Sequence, residues 1–266
     1  MGLIANTRMY NLTPPIRALF GALVMAVSEA SGVVLDVIAH EAPRPLGDLW
    51  SRNDMGMVFM CSYPYAQRLP SARPQPLAAP VSTAEWAAGQ PVYASRIVVR
   101  DESITHVEQL KAARWAWTVR DSQSGYNAPR EFLAGLGVDG AVETVGPVIT
   151  PAGVIDAVRD GKADAGAVDA YAWQLLEMHA PEMIKDLAVA ATTAPAPFPM
   201  LVASASAPKE GIDKLRTALL ALHETESGRT ALAPLGLARF AMPDLAAVEA
   251  LPGRARETDA RLGARW

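Results

Sequence analysis

Short apolar extended runs alternate with amphipathic helical segments along nearly the whole chain, and no other feature restricts the fold as much. Leu3–Thr7, Val33–Ala39, Met55–Met60, Val92–Val99, Trp115–Val119, Val142–Ile149, Ala163–Val168 and Met200–Ser204 read as extended. Between and after them Pro14–Ala30, Ala128–Leu136, Ala152–Asp160, Ala170–Met178, Gly211–Thr225, Gly228–Ala233 and Leu245–Ala250 read as helices. The clearest helix is the first. Ile16, Leu19, Phe20, Leu23, Val24 and Val27 share one face, with Thr13 as N-cap and Pro14 at the first position. Strands that alternate with helices build mainly parallel sheets covered by helices, so the expected class is α/β.

Prolines mark the joints. Pro70 to Pro80 holds four prolines and reads as an extended surface loop, and Ala194–Pro199 as a second rigid stretch. The segment 94–198 has its own strand–helix set, inserted between 1–93 and 199–266. Two lobes with two crossings and a ligand cleft between them are therefore expected; one continuous doubly wound sheet is the alternative.

Composition narrows the function. Half of the 266 residues are hydrophobic and 20% are charged, with net charge −4, which is globular and long enough for one large or two modest cores. No basic block points to nucleic acid. The one cysteine, Cys61, cannot form an intrachain disulfide, and no stretch approaches the ~18 apolar residues of a membrane span. No basic-then-apolar leader precedes the first strand. The expected location is the periplasm if a leader has been removed and the cytoplasm otherwise.

The most informative local motif is Asp121-Ser122-Gln123-Ser124-Gly125-Tyr126-Asn127, placed between a strand and a helix. The first N–H groups of a helix lack intrahelical acceptors and present the positive end of its dipole. Serine hydroxyls add donors, and glycine admits a ligand close to the backbone. The same residues also suit an ordinary N-cap with no ligand.

Other strand ends are chemically unusual. Tyr10 follows the first strand, Ser62 and Tyr63 the third; Tyr93 lies at a crossing, and Asp169 ends the run at 163–168. Tyrosine offers a flat apolar face and a hydroxyl, which suits a site closing on a small polar ligand. Asp169 would hold an amine or hydroxyl of a ligand, or cap the helix that follows it. Catalytic chemistry is poorly represented. His40, His106, His179 and His223 lack metal-ligand spacing, the serines do not form a hydrolase elbow, and there is no dinucleotide fingerprint. No enzyme, cofactor or metal is expected.

Asp121–Asn127 resembles the S-x-S-G-Y segment of phosphonate-type substrate-binding proteins of ABC importers, which have the type II periplasmic-binding-protein fold. Tyr93–Arg100 resembles the hinge strand entering the second lobe, and Thr105–Leu110 the connection to the strand before the motif. Ile155–Ala165, containing Gly161-Lys162-Ala163-Asp164-Ala165, resembles the helix-G-x-A-D-A turn that precedes an acidic position, here Asp169. The resemblance covers residues 3 to 240. It implies a non-catalytic binder of a small oxyanion, zwitterionic ligands included, that hands its ligand to an ABC transporter permease. Ser122, Gln123, Ser124 and Gly125 would hold the anion, with Tyr126 in the same segment. Tyr93 would bond it from the hinge, and Tyr10 and Tyr63, with Ser62, would close on it. A monomer is expected.

The chain departs from the family pattern at Pro151-Ala152-Gly153, where such proteins commonly carry a histidine, and at Cys61–Tyr65. A divergent subgroup with a different ligand follows. Enzymes of menaquinone and thiamine-pyrimidine biosynthesis share the fold, so an enzyme is the alternative, and a cytoplasmic anion sensor a second one.

Overall fold

The structure is a computed structural model that describes residues 2–100, 104, 106–264 and 266. Thr105, where the expected connection to the motif strand begins, lies outside the described residues. The chain divides into two compact units: Met1–Val92 with Pro197–Leu245, and Tyr93–Ala196 with Ala246–Trp266. On sequence alone 199–266 forms one segment of the first lobe. In the structure the last 21 residues, 246–266, belong to the second unit, where Arg254 and Asp259 of the helix Leu245–Leu262 pair with Glu131 and Arg130.

The first unit is built on a six-stranded sheet, in the order 237–241, 75–82, 200–203, 55–60, 3–6, 35–37. Leu3–Asn6 runs parallel to Leu35–Val37 and to Met55–Met60. Met200–Ala203 is antiparallel to Met55–Met60 and to Gln75–Ser82, and Leu237–Ala241 is antiparallel to Gln75–Ser82. The sheet is therefore mixed, not mainly parallel. Parallel pairs come from strand–helix–strand units; strands that return outside such a unit are free to run the other way.

The helix Pro14–Ser31 forms as its pattern predicts. Thr13 accepts from the N–H of Ile16 at 3.4 Å, Pro14 and Pro15 occupy positions with no intrahelical acceptor, and Gly32 ends the helix at φ 65°. Its buried face is Ile16, Phe20, Leu23, Val24 and Val27.

The expected loop over Pro70–Pro80 is a correction. Gln75–Ser82 is an eight-residue strand inside the sheet. Its first half pairs with 200–203 and its second with 237–241, and both ladders shift register. Each half thus has one unpaired side, which is how Pro76 and Pro80, with no N–H to donate, are accommodated.

The second unit has a five-stranded sheet in the order 187–192, 95–100, 165–169, 115–116, 144–145. Trp115–Ala116 is parallel to both of its neighbours, while Ser95–Arg100 is antiparallel to Ala165–Asp169 and to Leu187–Thr192. This sheet is mixed for the same reason. Asp164 of the G-K-A-D-A turn accepts from the N–H of Arg114 at 2.9 Å and so ties the two parallel strands at their amino ends. Trp115, Leu133, Ile97 and Tyr126 lie in the core with Leu262 and Trp266 of the C-terminal segment.

Candidate functional site

The serine turn lies at the carboxyl end of the parallel strands of the second unit. Beyond Ala116 the chain continues in register with the 144–149 segment: the N–H of Trp117 donates to Val145, and those of Val148 and Ile149 donate to Trp117 and Thr118. The chain then turns, and Ser122 caps the next helix, its Oγ accepting from the N–H of Gly125 at 3.0 Å. The first turn is a π-turn, Gln123–Asn127, before the α-helix Ala128–Gly135. Pro129 explains it. Proline cannot donate to the carbonyl four residues back, Gly125, and the N–H of Thr118 takes that carbonyl instead at 3.2 Å.

This arrangement leaves several donors facing away from the helix. The N–H groups of Gln123 and Ser124 open the helix and have no intrahelical acceptor. Ser122 uses its oxygen as acceptor and retains its proton. Gln123 is buried, while Ser122 and Ser124 are half-buried. Gly125 is required here, because a Cβ would stand 2.2 Å from Oγ1 of Thr118. That hydroxyl is buried and has no hydrogen-bond partner. Beside the turn, the carboxyl pKa of the exposed Asp121 is raised from its ordinary value, chiefly by desolvation.

Two further capped helices start at the same end of this sheet. Thr150 accepts from the N–H of Gly153 at 3.1 Å to open Pro151–Arg159, just after Ile149, a β-branched residue at φ 68°. Asp169 opens Ala170–His179, its Oδ1 accepting from the N–H groups of Tyr171 at 2.8 Å and Ala172 at 3.2 Å. Ser95 joins the third start to the first: it is the register partner of Asp169, and its hydroxyl donates to the carbonyl of Ser124 at 2.9 Å. Ser122, Gln123, Ser124, Gly125 and Asp169 are thereby gathered at one sheet end. Tyr93 is buried close by, two residues before Ser95.

Tyr126 points into the core. Its ring meets Trp117 and Trp266 edge-on at 5.3 and 5.8 Å, and the guanidinium of Arg130 lies 5.0 Å from its centre. It anchors the turn from behind. Ser95, Thr118 and Thr150 were not among the expected site residues. The Thr-Pro pair at 150–151 is an N-cap signal that could have found one of them. Thr118 could have been found as the last polar residue of an apolar strand that runs into the motif.

The remaining expected residues lie in the first unit. Tyr10 packs among Phe20, Phe59 and Phe198, with ring centres 6.1, 5.2 and 6.1 Å away. Ser62 is fully buried, and its hydroxyl faces the carbonyls of Pro197 and Phe198 at 3.2 and 3.0 Å. Tyr63 accepts from the amide of Gln67 at 3.0 Å. Tyr10 and Ser62 thus meet around Phe198 and help fix the returning strand. Cys61 is buried. Among the described residues no group of three His, Cys, Asp or Glu side chains could hold a metal, and no helix is long and apolar enough to cross a membrane.

The sequence matches the family described as "ABC transporter, phosphonate, periplasmic substrate-binding protein" over residues 14–247. The chain belongs to this family. It is similar in structure to a binding component of a phosphonate ABC transporter from Pseudomonas aeruginosa, with TM-score 0.78, 19% identity, and coverage of 97% of this chain and 87% of that one. It is also similar to PhnD1 from Prochlorococcus marinus in complex with methylphosphonate, with TM-score 0.75, 17% identity, and coverage of 97% and 98%. A third likeness is to a protein of R. palustris with adipate, with TM-score 0.61, 13% identity, and coverage of 98% of both chains. At these identities the likeness establishes the fold, that of the two-lobed periplasmic binding proteins. No curated protein matches the sequence.

Proposed function

We propose that this protein captures a small oxyanionic solute in the periplasm and delivers it, as a monomer, to the permease of an ABC importer. The anionic group is held by the turn Ser122–Gly125: by the N–H groups of Gln123 and Ser124, by the hydroxyls of Ser122 and Ser124, and by that of Thr118. One observation carries this reading. Oγ1 of Thr118 is buried without a partner, directly against the helix-opening turn. A hydroxyl left unpaired in a protein interior costs on the order of 1–3 kcal/mol, and an acceptor oxygen at this position would recover it. Helix dipole, N–H groups and hydroxyls then act on the same charge. Family membership supports the transport role, and the phosphonate bound by one structural relative and the adipate of another support an oxyanion as the shared ligand chemistry.

Calorimetry with methylphosphonate, phosphate, a sulfonate and small mono- and dicarboxylates tests the proposal. Saturable heat from at least one series is expected, weakened in Ser124→Ala. A folded protein that gives no heat with any of them would sink it.

A further inference from the structure

We propose a second small-oxyanion site in the first unit, centred on the guanidinium of Arg68 at the amino end of the strand Met55–Met60. A pocket of about 240 Å³ opens there, and its lining includes Arg52, Asn53, Arg68, Ser71, Arg73 and Ser206. It is at the opposite end of the strand from Ser62, roughly 20 Å away at 3.3 Å per residue.

The charges around the pocket do not cancel. Arg52 is neutralised, with Nε and Nη2 bonded to the two carboxylate oxygens of Asp54 at 2.8 and 2.6 Å. Arg73 is fixed in place: it donates to the carbonyls of Arg68 and Ala66 at 3.0 Å each and lies 5.3 Å from the centre of the Tyr65 ring. Arg68 is half-buried, and the hydrogen bond of its guanidinium runs from Nη1 to the carbonyl of Trp50 at 3.2 Å. Burial lowers its pKa, and no carboxylate acts to raise it. A partly desolvated cation with donors to spare is an unfinished interaction, and a planar guanidinium fork matches two oxygens of one anion.

The pocket walls suit that ligand. Ser204 and Ser206 bond to each other at 2.8 Å, and Ser206 donates to the carbonyl of Asn53 at 3.0 Å, which fixes the Asn53 turn. Asn53 and Ser71, both exposed, line the pocket and carry a neutral amide and a neutral hydroxyl. The volume is below the ~300 Å³ at which sites for drug-sized ligands begin. The ligand class is an inorganic-sized oxyanion such as phosphate or sulfate.

The test is a phosphate titration of the full chain at constant ionic strength, balanced with chloride and followed by the backbone amide resonances of Asn53 and Ser71. Saturable shifts are expected in the wild type and equally in Ser124→Ala, which separates this site from the serine turn. Arg68→Gln should weaken binding roughly tenfold or more, the loss of one charge-assisted contact. Ser71→Glu, at an exposed position that leaves the fold intact, should abolish it by placing a carboxylate at the rim. Shifts that drift linearly and match those in chloride alone, or saturation undiminished in Ser71→Glu, would overturn the proposal.

Discussion

Arg130, on the helix that follows the serine turn, is bound by Asp259 of the C-terminal helix, with Nη1 and Oδ1 2.5 Å apart. The Arg130 side chain is 1% exposed and that of Asp259 38%. The same guanidinium donates to the carbonyl of Gly263 and covers the ring of Tyr126. The end of the chain therefore holds the back of the turn whose front carries the free donors. Asp259→Ala would leave a buried cation without its counter-charge, and a loss of about 2–4 kcal/mol is expected in urea unfolding. The neighbouring pair Arg254–Glu131, 2.8 Å apart and about one-third exposed on both sides, should matter less. Glu131→Ala is expected to cost under about 1 kcal/mol. Equal losses in the two variants would contradict this ranking.

Asp169 holds its helix through two backbone N–H groups. Asp169→Ala should destabilise by about 1 kcal/mol, the usual cost of a lost N-cap, whereas Asp169→Asn keeps an accepting oxygen and should stay within a few tenths. Comparing ligand affinity in the two variants then separates capping from ligand contact. An affinity reduced in the stable Asn variant assigns the charge to the ligand, and an unchanged one leaves Asp169 a cap alone.

Tyr171 gives a pH dependence of known sign. Its hydroxyl pKa is raised well above 10, first by complete burial and then by the negative charge of Asp169. In the unfolded chain the group ionises near pH 10. Above that point the unfolded state has released a proton that the native state keeps, so stability must fall as pH rises. Urea midpoints should decline above about pH 10, and Tyr171→Phe should flatten the decline. Parallel pH profiles for the two proteins would rule out this source.

Much of the architecture is legible in the sequence because it follows from local rules. The helix Pro14–Ser31 carries its cap, its prolines and its apolar face in plain view, and Met55–Met60 is an uninterrupted apolar run that forms a strand with those bounds. Gln75–Ser82 was hidden because proline ordinarily excludes a paired strand, and only the split pairing with two partners resolves the conflict. Leu187–Thr192 and Leu237–Ala241 were missed because both are half-buried edge strands of weak periodicity. At the turn the serines were visible as a motif. Ser95 was not, because its place beside the turn depends on a strand register that no local pattern encodes.

The contact between Thr118 and Gly125 separates the ligand's requirements from those of the fold. Thr118 Oγ1 makes no hydrogen bond in the protein, so Thr118→Val removes no internal interaction and replaces a buried hydroxyl by a methyl of similar size. Stability should rise, by up to about 1–3 kcal/mol as the unpaired hydroxyl is removed, while oxyanion affinity falls by a similar amount if that hydroxyl meets the ligand. Gly125→Ala acts in the opposite sense. The new Cβ would lie 2.2 Å from Oγ1 and 2.8 Å from Cγ2 of Thr118, and the overpacked turn should lose about 1–3 kcal/mol of stability. Thr118→Ala deletes both atoms, so the double variant should recover most of that loss, a positive coupling measurable in a double-mutant cycle. Additive effects would mean that the strain at Gly125 lies elsewhere. A Thr118→Val protein with undiminished affinity would remove the hydroxyl from the site.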